Sequence, residues 1–162
     1  MIVDISSIKN SEGKIPINEI VEFGNVEFGG GEYNFGRVSI VGAIINIGGS
    51  LELKATVTGE YETPCARCLK PVMSSFDADI YEDLTGEEAD AELIVKDGNE
   101  WNLRELILND ILIDLPMTVL CDEDCKGFCP TCGKNLNSES CSCVDDKWDT
   151  RFDILKNFKA DL

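Results

Sequence analysis

Six of the chain's eight cysteines lie between Cys121 and Cys143, in a 162-residue sequence that contains no histidine. Their spacing is C-x3-C-x3-C-x2-C-x8-C-x-C, and the other two form a separate C-x2-C pair, Cys65 and Cys68. Eight thiols match two closed four-cysteine zinc sites. Soft thiolates select zinc or iron–sulfur over hard cations, and without imidazole any such site must be built mainly of sulfur. Four protein ligands leave no open position for water, so an all-thiolate zinc shapes a surface and does not catalyse. The pattern points to a metal-stapled binding protein before it points to an enzyme.

The strongest local piece is CPTCG, Cys129 to Gly133. In such a knuckle the chain curls around one ion with backbone N–H groups turned toward the sulfurs, and a glycine after the second cysteine allows the positive φ the curl needs. Cys141 and Cys143 return after an eight-residue gap, so the preferred grouping is Cys129, Cys132, Cys141 and Cys143 around one zinc. Cys121 and Cys125 are then left to meet Cys65 and Cys68 around a second. One zinc with leftover thiols, a different division of ligands, or an iron–sulfur cluster fit the same count. A lone C-x2-C such as Cys65 and Cys68 also reads as a dithiol, a disulfide or half a site. A redox dithiol calls for a helix N-terminus after a βαβ strand to depress one thiol's pKa, and this pair sits between two apparent strands.

Those strands belong to the clearest periodic region. Leu51, Leu53, Ala55, Val57 and Tyr61 alternate with polar residues, which predicts a half-buried strand. Arg37 to Ile47 precedes it, with Gly48-Gly49 as the positive-φ hairpin turn. Val72 to Tyr81 follows, with Phe76, Ala78 and Ile80 opposite Asp77 and Asp79. TPCARCLKP links the last two, which puts Cys65 and Cys68 at a hairpin tip in an antiparallel meander. Residues 82–100 hold eight acidic groups and one lysine, and read as a solvated connection. Asn102 with Glu105 three residues on reads as a helix start. Leu103, Leu106, Ile107 and Ile111 form one stripe and Leu108, Leu112 and Leu115 another, so this helix is buried on more than one side until Pro116 ends it. Trp148, Phe152, Leu155 and Phe158 predict a terminal helix, capped by Thr150 with Asp153, and the two tryptophans, Trp101 and Trp148, are expected to anchor helix ends. The expected fold class is α+β: an antiparallel sheet with a buried helix over residues 1–120, and a zinc-held cysteine-rich segment over 121–162 packed on that core.

The formal charge is −17, and residues 1–120 carry −14 of it. Two zinc ions, each held by four thiolates, bring the total to about −21. Such a chain suits neither broad phosphate binding nor a membrane surface. Arg67, Lys70, Lys126 and Lys134 are interleaved with the cysteines. They balance thiolate charge, and they also form the one local basic face on which a few phosphates could sit. The sequence shows no signal peptide and no spanning segment, which predicts a cytoplasmic, reducing location where paired cysteines favour metal. Without histidine no Ser-His-Asp or Cys-His arrangement can form, and no glycine-rich phosphate loop with its lysine is present.

CARCL at 65–69, ILIDLP at 111–116 and LCDEDCKGFCPTCGKNLN at 120–137, with the closing C-x-C and the Asp149-x-Arg151…Leu155 tail, resemble the YceD family of large ribosomal RNA subunit accumulation proteins. Members without the C-terminal cysteine cluster carry the same family name, so zinc is not the family's universal working part. The resemblance implies a bacterial cytosolic factor that supports accumulation or processing of large-subunit ribosomal RNA, with no known catalytic residue. The expectation is a non-catalytic ribosome-assembly factor whose partners are ribosomal RNA or pre-large-subunit ribosomal proteins, with no small-molecule substrate. The alternative from another class is a thiol-based redox enzyme or a zinc-responsive switch.

Overall fold

The computed structural model describes residues 1–85 and 93–143. The terminal helix expected from Trp148 onward, and its cap at Thr150, lie outside the described residues. Within them the chain is mostly antiparallel sheet, with strands β1 (Ile2–Asp4), β2 (Gly13–Phe28), β3 (Gly31–Ile47), β4 (Ser50–Pro64), β5 (Pro71–Asp83), β6 (Val95–Asp97) and β7 (Glu100–Asn102) and one helix, α1 (Arg104–Asp114).

The meander is four strands in the order β2-β3-β4-β5. Alternation along β4 comes out as expected: Leu51, Leu53, Ala55, Val57 and Tyr61 are buried, while Lys54, Thr56, Thr58 and Glu60 face out. Gly48 and Gly49 make the β3–β4 turn at positive φ, so Asn46 pairs with Leu51 and Ile47 with Ser50. Of the meander's four strands, the one missing from the sequence reading is β2. It and the first part of β3 form a long hairpin through Gly29-Gly30, and the alternating Val26, Phe28, Tyr33 and Phe35 around that glycine pair are the signal for it.

Of residues 82–100, read mostly as a solvated connection, 86–92 lie outside the described residues and 95–100 are exposed as expected, but the segment is more structured than that reading. Leu84 and Ile94 are buried in the core, and β6 and β7 pair with β1 in a second sheet of order β1-β7-β6. Short strands among many carboxylates carry little periodicity, so their pairing comes from long-range contact with the N-terminus, Val3 opposite Trp101. Trp101 is buried on β7 just before the helix, with Lys96 over its ring.

The inner faces of both sheets and α1 share one core, in which Ile40, Ile44, Leu53, Leu103, Leu106, Ile107 and Ile111 are fully enclosed. Each such side chain contributes roughly 1.5–3 kcal/mol of burial. The helix begins one residue later than a cap at Asn102 requires, yet the Asn102 side chain still accepts the Arg104 N–H at 3.1 Å. Leu115 is extended at φ −66°, ψ 145°, as a residue before proline must be, and the helix ends there. The chain then runs back toward the β4–β5 tip.

Candidate metal centres

The β4–β5 ladder closes at Pro64 opposite Pro71, so residues 65–70 are the hairpin tip. There the Cys65 N–H donates to the Lys70 carbonyl at 2.8 Å and the Leu69 N–H to the Cys65 carbonyl at 2.9 Å. This curls the C-x2-C around its two sulfurs. The segment after α1 docks on it: the Ala66 N–H donates to the Val119 carbonyl, and the Arg67 guanidinium donates to the Cys125 carbonyl at 2.7 Å. Gly127 lies so close to Arg67 that a Cβ there would sit 2.8 Å from its carbonyl oxygen. These contacts gather Cys65, Cys68, Cys121 and Cys125, all four sulfurs within 4.8 Å of one another.

The second group is built by the same curl. The Cys129 N–H donates to the Lys134 carbonyl at 2.8 Å and the Gly133 N–H to the Cys129 carbonyl at 2.9 Å. Gly133 takes the expected positive φ, 72°. A bridge between Phe128 and Asn135 turns the chain back, and Cys141 and Cys143 return to Cys129 and Cys132, again within 4.8 Å. The eight sulfurs thus fall into two groups of four.

The geometry fits a tetrahedral ion. With metal–sulfur bonds of about 2.3 Å, ligand sulfurs stand about 3.8 Å apart. Here Cys65 and Cys125 are 3.9 Å apart and Cys68 and Cys121 3.5 Å, far outside bonding distance for a disulfide, and all eight thiols are free. The electrostatics ask for a cation as well. Burial pushes the Cys65 thiol up, but N–H groups of Arg67, Cys121 and Cys68 outweigh it and bring its pKa down to about 6. N–H groups of Cys132 and Thr131 bring Cys129 to about 6. Their neighbours move the other way. The Cys68 and Cys125 side chains push Cys121 up to about 12, and the Cys132 side chain does the same for Cys143. Four clustered thiols cannot all ionise unaided, and a dication removes that conflict.

Asn137 is the functional residue that sequence reasoning missed. It lies in the eight-residue gap of the second group, yet its side-chain amide donates to Cys125 Sγ of the first at 3.4 Å. Its Oδ1 also accepts the Lys126 N–H at 2.8 Å, and with burial opposing it this amide heads the contacts that lower the Cys125 pKa. Two asparagines between cysteine pairs, Asn135 and Asn137, are the sequence trace of this turn.

The four cations differ in what they do. Arg67 is tied down by its bond to Cys125, and Lys134 stands 3.8 Å from Glu139. Lys70 and Lys126 are exposed, and among the described residues neither has a carboxylate in ion-pair range.

A family model described as "Large ribosomal RNA subunit accumulation protein YceD" matches residues 53–159, which includes both cysteine groups. The chain belongs to the YceD family. Its similarity to curated proteins agrees with that membership. An Arabidopsis thaliana protein, "Large ribosomal RNA subunit accumulation protein YCED homolog 1, chloroplastic", is 30% identical over 63 residues, covering 39% of this chain and 20% of the relative. Proteins of Mycobacterium tuberculosis and Mycobacterium bovis described as uncharacterized are 33% identical over 96 residues, covering 51% of this chain and 45% of theirs. The YceD-family chain thus spans less than half the length of these relatives. No solved structure matches it. Among its described residues no helix is long and apolar enough to cross a membrane.

Proposed function

We propose that this YceD-family chain is a non-catalytic, zinc-stapled factor that supports accumulation of large-subunit ribosomal RNA in the cytoplasm, acting through protein contacts or a small local RNA contact. The observation that carries the reading is the family match across both cysteine groups. Zinc is the ion favoured for both, since eight thiolates without imidazole fill two tetrahedra and leave no site for substrate water. Each ion would be held by one group of four: Cys65, Cys68, Cys121 and Cys125, or Cys129, Cys132, Cys141 and Cys143. The N–H groups aimed at the sulfurs stabilise the thiolate form and orient it.

Any direct RNA contact is assigned to Arg67, Lys70, Lys126 and Lys134. In a chain of charge −17, phosphates can settle only where local cations outweigh the repulsion. Four cations displace about four counterions, so RNA affinity should fall with salt on a log–log slope of about −3 to −4. Sedimentation of cell extracts tests the reading: the protein should travel with immature large subunits. If it stays wholly in the free fraction, and Lys126→Glu with Lys134→Glu leaves ribosomal RNA levels unchanged, the reading fails.

One observation favours a second reading. Cys132 and Cys143 are exposed while three of the first group's four cysteines are buried, which suits a zinc-responsive switch at the second group. Stoichiometric, inert zinc there after reducing purification removes that alternative.

A further inference from the structure

The four-stranded sheet opens at the end that carries the first cysteine group. β3 pairs with β4 only as far as Asn34, opposite Glu62. Beyond that point Gly31–Tyr33 pair with β2 alone, and Thr63 and Pro64 pair with β5 alone. A register shift in β3 between Phe35 and Ser39 bends the strand just before it parts from β4. One bond stitches the gap, the Thr63 hydroxyl donating to the Glu32 carbonyl at 2.8 Å. What remains is a cleft of about 440 Å³ between the two strand ends.

Its lining mixes apolar and acidic side chains with the neutral Asn25, Asn34 and Thr63. Tyr33, Pro64 and Leu69 give it apolar surface, and Glu27, Glu32 and Glu62 give it three carboxylates. Among the described residues no lysine or arginine lies within ion-pair range of those three. Leu69 is 66% exposed and held at φ 57° by the curl around the first cysteine group, so the knuckle presents a large apolar side chain at the cleft. A leucine held in that strained conformation at an exposed position marks the tip as a contact point to test.

We propose that this cleft binds an extended segment of a partner protein that alternates apolar residues with lysine or arginine. Among the described residues, 31–33 and 63–64 have no strand partner on the sides that face each other, and such a short unpaired edge suits an extended chain over a helix. The three carboxylates select cations and repel phosphate, so the cleft takes a basic peptide and not RNA, although Lys70 of the basic set follows Leu69 at its rim. The proposal stands whether or not the ribosomal RNA reading holds, since it rests on the carboxylates of the strand ends and not on the lysines at the cysteine groups.

The test uses the zinc-loaded 162-residue chain and a fluorescein-labelled hexapeptide of alternating lysine and valine. Anisotropy should show saturable binding, and amide shifts in NMR spectra should map to residues 25–34 and 62–71. Glu27→Gln, Glu32→Gln and Glu62→Gln together should weaken binding about tenfold at 0.1 M salt, the combined effect of three exposed ion pairs. Leu69→Gly, which relieves backbone strain and therefore keeps the fold, should weaken it further. A charge-matched control, Glu12→Gln, Glu19→Gln and Glu100→Gln, should leave affinity within twofold. Equal loss in both triple variants, shifts elsewhere on the surface, no binding at millimolar peptide, or displacement of the peptide by a single-stranded RNA oligomer would each overturn the proposal.

Discussion

The two C-x2-C knuckles, Cys65–Lys70 and Cys129–Lys134, make the same pair of backbone hydrogen bonds around their sulfurs, yet sit in opposite surroundings. The first is the tip of a hairpin whose strands run 15 and 13 residues into the core, and its Cys65 and Cys68 are buried. The second is held by one isolated bridge and a short return loop, with Cys132 and Cys143 exposed. The residue after the second cysteine records the difference. Gly133 adopts φ 72° without strain, whereas Leu69 adopts φ 57° at a cost of about 1–2 kcal/mol. A knuckle anchored at both ends by a sheet can hold a leucine there, and one standing on a loop uses glycine. The lesson is that one loop geometry serves as an extension of the core in one place and stands on a short return loop in the other.

The largest expected effect comes from breaking one ligand at each centre. Cys125→Ser should lose one of two zinc ions by elemental analysis and lower the melting temperature by more than about 10 °C, since it detaches residues 119–127 from the hairpin tip. Cys132→Ser should also lose one zinc but leave the melting of the sheet nearly unchanged. Equal destabilisation by both would dissolve the distinction between the centres.

Chelation sharpens it. A metal-binding dye should withdraw zinc in two phases, the faster at least about tenfold ahead and belonging to Cys129, Cys132, Cys141 and Cys143, where exposed sulfurs admit the competitor. Hydrogen exchange should show residues 128–143 losing protection first while residues 37–83 keep theirs. A single phase with uniform loss would mean that one ion organises the whole chain.

Much of this contrast was legible in the sequence. The 4 + 4 grouping of sulfurs is the preferred one from CPTCG, the eight-residue gap and the alternation that puts Cys65 and Cys68 at a hairpin tip, though spacing alone leaves other divisions open. The core strands β4 and β5 and helix α1 follow from strong periodicity, which local burial dictates. Apart from β2, whose alternation was there to read, what escaped depends on contacts distant in sequence. β1, β6 and β7 are three residues each, too short for a pattern, and exist because residues 2–4 and 100–102 meet. Asn137 reads as an ordinary turn residue until folding brings it to Cys125, and Leu69 carries no mark of its φ angle.

Asn137 supplies the next test. Asn137→Ala removes a donor to the Cys125 sulfur and the acceptor of the Lys126 N–H. Zinc affinity of the first group should fall about tenfold in chelator competition, although the residue belongs to the loop of the second. No change would show that the two centres act separately. The smallest effect should come from exchanging the knuckle residues. Gly133→Leu meets no atom within 4 Å at its Cβ, so it should cost only the strain, about 1 kcal/mol, and speed zinc release from the second group. Leu69→Gly should gain a few tenths to about 1 kcal/mol in denaturant melts, its strain relief partly offset by the freer unfolded chain. A loss there would mean that the Leu69 side chain stabilises the folded chain.

The first group also sets a schedule. Cys65 and Cys68 precede their partners Cys125 and Cys121 by 60 and 53 residues, while all four cysteines of the second group fall between 129 and 143. At synthesis rates of about 5–20 residues per second, an open dithiol at the hairpin tip waits about 3–12 s for the sulfurs that complete it. The second set emerges within about 1–3 s. The last ligand of the buried centre, Cys125, still emerges before Cys129, so the newborn chain holds all four sulfurs of the first group before any of the second. The two centres differ in how long their earliest thiols stand open, and the buried one closes only after the strands and helix that position its ligands have been made.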